Sequence, residues 1–377
     1  MMAGPTRQKA TFQAMPAAGS EPGRNEKQAF FHLIQAVHNR AVHQAGGYED
    51  RYFSIGGRPV RLRFAGGVMA GLLTPALAHT EIPPVDEASL TALIWDDASS
   101  GTELPAGLAR YFSSLGEWWK HLGPRGEIRD RTDDRFRAAF HLGPNIFSIL
   151  DTQKNLALYW VRDARALPYY EIGSPLRTLL HWWADQDPFQ FVHAGAVGTH
   201  GGGVLLAGKG GVGKSTTALA CLEAGMLYAS DDYCLVRAGS QARVYSVYNT
   251  AKLRGDLDVQ RFPRLAHLVS NQTRLESDKA LLFLNRHFPE RVCRDLPLRA
   301  ILLPRVTGGK GARLRPASRG EVLLALAPST LFQLPGAGQD SMVTISELVR
   351  VVPGYHLEVG TQLPAIPQVI GEVLSGG

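Results

Sequence analysis

The chain has 377 residues, of which 45% are hydrophobic and 20% charged, a balance typical of soluble globular proteins with one large domain or two ordinary ones. Its net charge is +6, but the basic residues are scattered, which argues against a nucleic-acid partner and favours an anionic ligand. No apolar run reaches the roughly 18 residues that span a bilayer. No secretory signal is visible and the three cysteines lie far apart, so we expect a cytoplasmic protein without a membrane anchor or disulfide framework.

The first part of the chain predicts a β-rich region over residues 27–165. Residues 1–26 are rich in Gly, Pro, Ala and Gln and predict a tail without fixed structure. Apolar residues near helical spacing predict a first helix over residues 28–45. The other elements expected here are a hairpin of Tyr52–Ile55 with Val60–Phe64 about Gly56-Gly57, a helix from about Val68, a strand at Leu93–Trp95, and a hairpin of Ile146–Leu150 with Leu156–Val161.

Residues 166–377 predict an α/β domain. Ser174-Pro175 is typical of an N-cap and first position of a helix, which would run through Trp182 and Trp183 as part of the core or of an interdomain seam. The other elements expected here are strands at Phe191–Val197, Gly203–Ala207, Leu227–Ala229, Val244–Val247 and Arg299–Leu303, helices at 275–285 and 319–327, and a final strand pair of Leu348–Val352 with Leu357–Val359 followed by a short helix.

A glycine-rich segment between a predicted strand and a predicted helix fits the phosphate-binding pattern G-x-x-x-x-G-K-[ST]. Glycines allow successive backbone N–H groups to turn inward around an anion, and the helix N-terminus faces that anion. The segment therefore predicts binding of ATP with Mg²⁺, with Lys214 on the β- and γ-phosphates and the Ser215 hydroxyl on the metal. The predicted nucleotide-binding residues are Gly208, Gly210, Gly211, Val212, Gly213, Lys214, Ser215, Thr216 and, further along the chain, Lys252.

Three further features narrow the chemistry. Asp231 and Asp232 follow Lys214 by 17 and 18 residues, so that one carboxylate can hold Mg²⁺ while the other accepts a proton from an incoming hydroxyl. His193 lies 15 residues before the glycine-rich segment, on a strand expected to neighbour the strand that leads into it. Lys252 and Arg254 would neutralise charge that develops during phosphoryl transfer.

Together, the run from His193 through the glycine-rich segment to Asp232 resembles the catalytic core of HPr kinase/phosphorylase. The resemblance implies a P-loop kinase core with a fold akin to phosphoenolpyruvate carboxykinase, acting on serine side chains of proteins. It implies that Asp231 is the base, that Asp232 serves Mg²⁺ with Ser215, and that His193 assists near the phosphates. The strong part of the resemblance covers about residues 191–255.

The chain also departs from that family. Lys252 stands where the family has a glutamate two residues before the arginine of its arginine-glycine signature, so only Arg254-Gly255 carries over. The departure puts the reverse phosphorolysis reaction and the HPr substrate in doubt. The sequence around Lys252 looks more like divergent HPr-kinase-like proteins, some of which phosphorylate precursors of ribosomally made peptides such as lasso peptides. A peptide or protein with a serine hydroxyl is therefore the expected acceptor.

Three alternatives stay open at this point. Lys209 with the following residues also matches the deviant P-loop of ParA/MinD-type ATPases, although about 200 residues precede it here and that loop normally lies near the N-terminus. A nucleotide-dependent binding module would not need Asp231 as a base. A kinase acting on a small-molecule hydroxyl fits the same residues. Related enzymes form oligomers, so a homo-oligomer is an open expectation.

Overall fold

The computed structural model describes residues 23–105, 108, 118–186, 189–276 and 278–375, which form a mixed α/β structure. The strands are β1 Tyr48–Ile55, β2 Arg58–Ala65, β3 Leu90–Asp96, β4 Phe136–His141, β5 Ile146–Asp151, β6 Leu156–Val161, β7 Phe189–His193, β8 Gly195–Thr199, β9 Gly202–Leu206, β10 Leu227–Ser230, β11 Tyr233–Arg237, β12 Arg243–Ser246, β13 Thr250–Leu253, β14 Ala280–Phe283, β15 Asp295–Val306, β16 Ala312–Ala317 and β17 Gly354–Val359. The helices are α1 Arg24–Gln44, α2 Val68–Leu73, α3 Asp97–Ser100, α4 Trp118–His121, α5 Tyr169–Gly173, α6 Arg177–Ala184, α7 Lys214–Glu223, α8 Gly255–Gln260, α9 Arg319–Leu331, α10 Gln339–Val351 and α11 Ala365–Ser375. None of the described helices is long and apolar enough to cross a membrane.

The first sheet has six strands in the order β1-β2-β3-β6-β5-β4. Strand β3 runs parallel to β2 and β6, and the outer pairs are antiparallel hairpins. Gly56 and Gly57 both have positive φ, which the tight turn between β1 and β2 requires, so the predicted hairpin is confirmed. Phe31 and Ile34 of α1 pack with Trp95 in an apolar cluster on this sheet.

The second sheet has nine strands and carries the glycine-rich segment. Its main path runs β10-β8-β9-β15-β12-β11-β7, and β17 joins β15 and β16. Both faces of β9 are buried: Val204 and Leu206 belong to the apolar cluster that includes residues of α7 and α11. Leu205 and Ala207 belong to the cluster that includes residues of α9 and α10. Burial on both faces explains why this strand reads as an uninterrupted apolar run.

The N-terminal boundary differs from the expectation. Residues 1–22 of the predicted tail lie outside the described residues, and α1 begins at Arg24 instead of residue 28. Residues 24–26 are therefore helical. Gly23 has the extended backbone of an N-cap, and Glu26 lies in the first turn, where a negative charge interacts favourably with the helix dipole.

The prediction that Ser174 caps a helix was wrong. Ser174 follows α5, and α6 begins only at Arg177, after Leu176 with its left-handed φ of 57°. The Ser174 hydroxyl instead accepts a hydrogen bond from Lys252 Nζ. Because a left-handed residue interrupts helical geometry, α5 and α6 cannot form one continuous helix.

The expected core position of the paired tryptophans is confirmed. Trp182 and Trp183 are both buried, and they belong to an apolar cluster that also includes residues of the first sheet. Each indole N–H has a backbone partner, since Trp182 Nε1 donates to Pro335 O at 2.7 Å and Trp183 Nε1 donates to Ser89 O at 3.0 Å. The two side chains therefore bury their area without leaving a donor unpaired.

The predicted strand over residues 191–197 is two strands in the structure. The chain leaves β7 at Ala194 and enters β8, which pairs with β9 and β10. Strand β7 pairs instead with β11. His193 therefore does not lie on the strand next to β9, as the sequence predicted, but beside Tyr233 of β11.

Two further predictions from apolar runs were wrong. The helix expected at 275–285 is not found among the described residues of that range, because Ala280–Phe283 is a fully buried strand paired with β13. Conversely, Leu348 lies in helix α10 and not in a strand, because Ile345, Leu348 and Val349 share one buried helical face. Short apolar runs carry too little periodicity to separate a strand from a buried helix, and the tertiary partners decide.

Candidate functional site

The glycine-rich loop, Gly208–Ser215, joins β9 to α7. Gly208, Gly211 and Gly213 have φ values of 141°, 87° and 104°, which side chains rarely permit. A Cβ atom built on Gly208 would lie 2.9 Å from Val212 Cγ2, whereas one built on Gly210 would meet nothing within 4 Å. Glycine is therefore required by the conformation of this loop at particular positions.

Lys214 projects into this loop. Its side chain is buried, and Nζ donates to Gly208 O at 2.6 Å and lies 3.4 Å from Lys209 O. Burial lowers the pKa of Lys214, while the negative charges of Asp232 and Asp231 oppose that shift. The predicted phosphate lysine and the predicted carboxylate pair are thus electrostatic neighbours.

Asp231 and Asp232 occupy the turn between β10 and β11. The Ser230 hydroxyl holds this turn by donating to Tyr233 O at 2.9 Å and accepting from Asp232 N at 3.3 Å. Asp231 is buried, and Lys252 N donates to its Oδ2 at 2.8 Å. Its other oxygen, Oδ1, is buried without a hydrogen-bond partner among the described residues. Burial, followed by the charge of Asp232, raises the pKa of Asp231 to about 6.

Asp232 has the opposite environment. His193 Nε2 lies 3.0 Å from its Oδ1, and Lys252 Nζ lies 2.5 Å from its Oδ2. Burial alone would raise the pKa of Asp232, but the charge of Lys252 and the hydrogen bond from His193 hold it well below the ordinary value. The ring of His193 stacks on Tyr233 with a centroid distance of 5.0 Å, which fixes its orientation.

Lys252 and Arg254 lie in different surroundings. Lys252 is buried on β13, and its Nζ donates to Ser174 Oγ at 2.8 Å as well as to Asp232. Arg254 is exposed, and a Cβ atom built on Gly211 would lie 4.0 Å from its Nη1. Arg254 makes no hydrogen bond or ion pair with another described residue. Lys252 therefore positions a carboxylate, while Arg254 is a cation beside the loop.

The residues present fit a magnesium nucleotide. Besides the unpartnered Asp231 Oδ1, the buried Thr217 hydroxyl in the first turn of α7 has no partner among the described residues. The described parts of the chain contain no cluster of three or more His, Cys, Asp or Glu residues that could hold a metal by themselves. Mg²⁺ at nucleotide sites typically needs one or two carboxylates and shares its other positions with phosphates and water. Ser215, Asp231 and Asp232 supply such oxygen ligands.

The Ser215 hydroxyl lies close enough to Asp231 to lower the pKa of that carboxyl. The family resemblance implied that Ser215 serves Mg²⁺ together with Asp232, and that role stays a prediction. Asp232 itself contacts His193 and Lys252. Asp231 thus lies next to the loop, and Asp232 lies next to His193 and Lys252.

The similarity of this chain to known proteins is structural and distant. No protein-family model matches the chain, and no curated protein matches it. Among solved structures, the HPr(Ser) kinase/phosphatase from Coxiella burnetii matches with a TM-score of 0.27 and 11% identity, over 50% of this chain and 95% of that chain.

Two contributors to the site were missed at the sequence level. Ser174 orients Lys252, and Tyr233 supports the ring of His193. Ser174 is 78 residues from Lys252 in the chain, so no local pattern could reveal their contact. Tyr233 could have been found from the sequence, because it immediately follows Asp232 and neighbouring residues of a strand face opposite sides.

Proposed function

We propose that this protein is an ATP-dependent phosphotransferase of the HPr-kinase-like type that phosphorylates a serine hydroxyl of a peptide or protein. One arrangement carries the proposal: the buried Lys214 of the glycine-rich loop interacts electrostatically with two carboxylates in different surroundings. Asp231 has an oxygen without a partner among the described residues, whereas His193 and Lys252 hold Asp232, and the pKa values of the two carboxyls are shifted in opposite directions. Pairs of titratable groups separated in this way are typical of sites that divide proton transfer from charge stabilisation.

In the proposed reaction, the acceptor oxygen forms a bond to the γ-phosphorus, the bond to the β–γ bridging oxygen breaks, and ADP leaves. The proton of the acceptor hydroxyl passes to Asp231, whose pKa of about 6 lies near the pH of a neutral cell and so suits a general base. Ser215 and Asp232 would hold Mg²⁺, which neutralises phosphate charge. Lys214 and Arg254 would stabilise the charge of the transferring group.

The acceptor class rests on the sequence resemblance around Lys252, so a precursor of a ribosomally made peptide, such as a lasso-type precursor, is the favoured acceptor within this proposal. His193 and Lys252 contribute by holding Asp232 in place and ionised. With its buried Nζ bound to Ser174 and Asp232, Lys252 would serve the nucleotide site through Asp232.

The two lysines of the loop provide the test. Lys214→Ala should abolish most MgATP binding, measured by calorimetry, and most phosphate transfer from γ-labelled ATP to a serine-containing peptide library. Lys209→Ala is the matched control, because Lys209 is exposed on the same loop. The kinase proposal expects transfer by this variant to stay within about tenfold of wild type, or about 1.4 kcal/mol.

Unchanged MgATP binding in Lys214→Ala would show that the loop is not the nucleotide site. Collapse of turnover in Lys209→Ala, with loss of ATP-induced dimerisation in light scattering, would favour the ParA/MinD-like ATPase. Transfer to a panel of small-molecule alcohols but to no peptide would assign the protein to the small-molecule kinases.

A further inference from the structure

A cavity lies on the opposite side of the glycine-rich loop from the carboxylates. Strand β15 runs parallel to β9, with Leu302 opposite Leu206, so residues 303–306 continue past the end of β9 alongside the loop. A Cβ atom built on Gly213 would lie 3.4 Å from Val306 Cγ2. The end of β15 therefore borders the loop directly.

This β15 cavity has a volume of about 680 Å³ and is lined by residues that include Arg305, Val306, Thr307, Gly309, Gly311 and Arg313. Pockets that hold small molecules and cofactors typically measure about 300–1,000 Å³. Backbone hydrogen bonds hold the rim of the cavity in place: Thr361 N donates to Gly309 O at 3.0 Å, and Gly360 N donates to Gly311 O at 2.9 Å. The cavity thus has a suitable size and a preformed wall.

The chemistry of the wall suits a nucleoside. Val306 is 59% exposed, which offers an apolar surface to a base. Arg305 is exposed and makes no hydrogen bond or ion pair with another described residue, so its guanidinium is available to stack on a ring or to contact a phosphate. Arg313, by contrast, is neutralised by Glu358.

The order of the strands indicates on which side of the loop the cavity lies. The carboxylates follow β10, which lies on the β8 side of β9, whereas β15 and β17 lie on the other side. Neighbouring strands are about 4.8 Å apart, so the cavity and the carboxylates lie on opposite sides of the loop. A nucleotide whose γ-phosphate lies beside Asp231 can extend its α-phosphate and nucleoside along the loop, past Gly213 and Val306, toward the cavity.

We propose that the β15 cavity binds the base and ribose of the nucleotide whose phosphates occupy the glycine-rich loop. The inference rests on the proposed function. Its test compares two probes, MgATP and magnesium tripolyphosphate, because the second has the phosphates without the nucleoside.

Val306→Asn should weaken MgATP binding by about fivefold, because it removes part of the apolar contact that a buried valine side chain makes. It should leave tripolyphosphate binding within about twofold of wild type. Val343→Asn is the matched control, since Val343 is an exposed valine of α10, 53% accessible. A second pair is Gly311→Leu and Gly308→Leu. A Cβ atom at either glycine meets nothing within 4 Å, but Gly311 lines the cavity and Gly308 does not.

Selective loss of MgATP binding in Val306→Asn and Gly311→Leu, with normal controls, would support the nucleoside site. Equal loss of both probes, no loss of either, or wild-type affinity no higher for MgATP than for tripolyphosphate would overturn it while leaving the phosphate loop intact. Binding of neither probe by the wild-type protein would overturn the proposed function together with this inference.

Discussion

Asp231 and Asp232 are adjacent in sequence, yet their side chains face different partners. Asp231 is buried next to the Ser215 hydroxyl with one unpartnered oxygen, whereas Asp232 is held between His193 and Lys252. The carboxyl with the raised pKa can accept a proton near neutral pH, and the one with the depressed pKa stays ionised. Electrostatics therefore supports Asp231 as the base, while the position of Ser215 would also allow Asp231 to serve the metal.

Paired substitutions separate these roles. Asp231→Asn keeps the shape of the side chain but cannot take the proton, so it should retain MgATP binding and lose phosphate transfer by about 10²–10⁴-fold. Asp232→Asn should instead weaken the dependence of activity on Mg²⁺. Nucleotide affinity and phosphopeptide formation are measured in both variants. Full transfer by Asp231→Asn would remove it as the base, and loss of nucleotide binding in that variant would assign it to the metal.

At the scale of elements, the glycine-rich loop depends on its backbone conformation as much as on its side chains. Both ends of the loop are held, because β9 before it and α7 after it are buried. Three of its glycines have positive φ, and Gly210 does not. The loop therefore has positions that demand glycine and a position that does not.

This difference predicts unequal effects of the same substitution. Gly208→Ala would place a methyl group 2.9 Å from Val212 Cγ2 at a φ of 141°. The strain of such a backbone should weaken MgATP binding by about tenfold or more. Gly210→Ala adds a methyl group in open space and should bind MgATP within about twofold of wild type. Calorimetry compares the two, with circular dichroism as a control for folding, and equal losses would show that loop geometry does not govern binding.

At the scale of the whole molecule, the two large sheets share a core. One apolar cluster combines Ile94 of the first sheet with Trp183 of α6 and with Phe191 and Leu235 of the second sheet. This cluster draws on both sides of the predicted boundary at residue 165, which itself stays a prediction. The core also contains His38, His79 and His181, all buried.

These histidines predict a loss of stability in mild acid. Burial lowers the pKa of His38 to about 4 and those of His79 and His181 to about 3. The unfolded chain therefore binds more protons than the folded protein below about pH 6.5, so stability is retained above that pH and lost as the pH falls. Each histidine should contribute about 1.4 kcal/mol to the drop in unfolding free energy between about pH 7.5 and 5.5.

Urea unfolding at the two pH values measures this drop. His181→Leu should reduce it by about 1.4 kcal/mol, since His181 is fully buried and both ring nitrogens lack partners among the described residues. The control is His200→Leu, because His200 is exposed on the β8–β9 turn and should leave the drop unchanged. The same pH dependence in His181→Leu and wild type would contradict a neutral buried His181.

The sequence by itself determined the features that depend on neighbouring residues. The β1–β2 hairpin followed from Gly56-Gly57, and the capping box of Ser318 and Glu321 begins α9 where a helix was predicted. The glycine-rich loop between a strand and a helix was also predictable, because its pattern lies within one short segment. These signals are local, so no distant contact is needed to read them.

Only the tertiary structure decided how distant segments meet. It separated His193 from the strand beside β9, assigned Ala280–Phe283 to a strand, and brought Ser174 and Lys252 together. Whether a short apolar run becomes strand or helix depends on which partner buries it, and the charge state of a carboxyl depends on groups far away in the chain. The opposite environments of Asp231 and Asp232 therefore exist only once β7, β10, β11 and β13 converge on them.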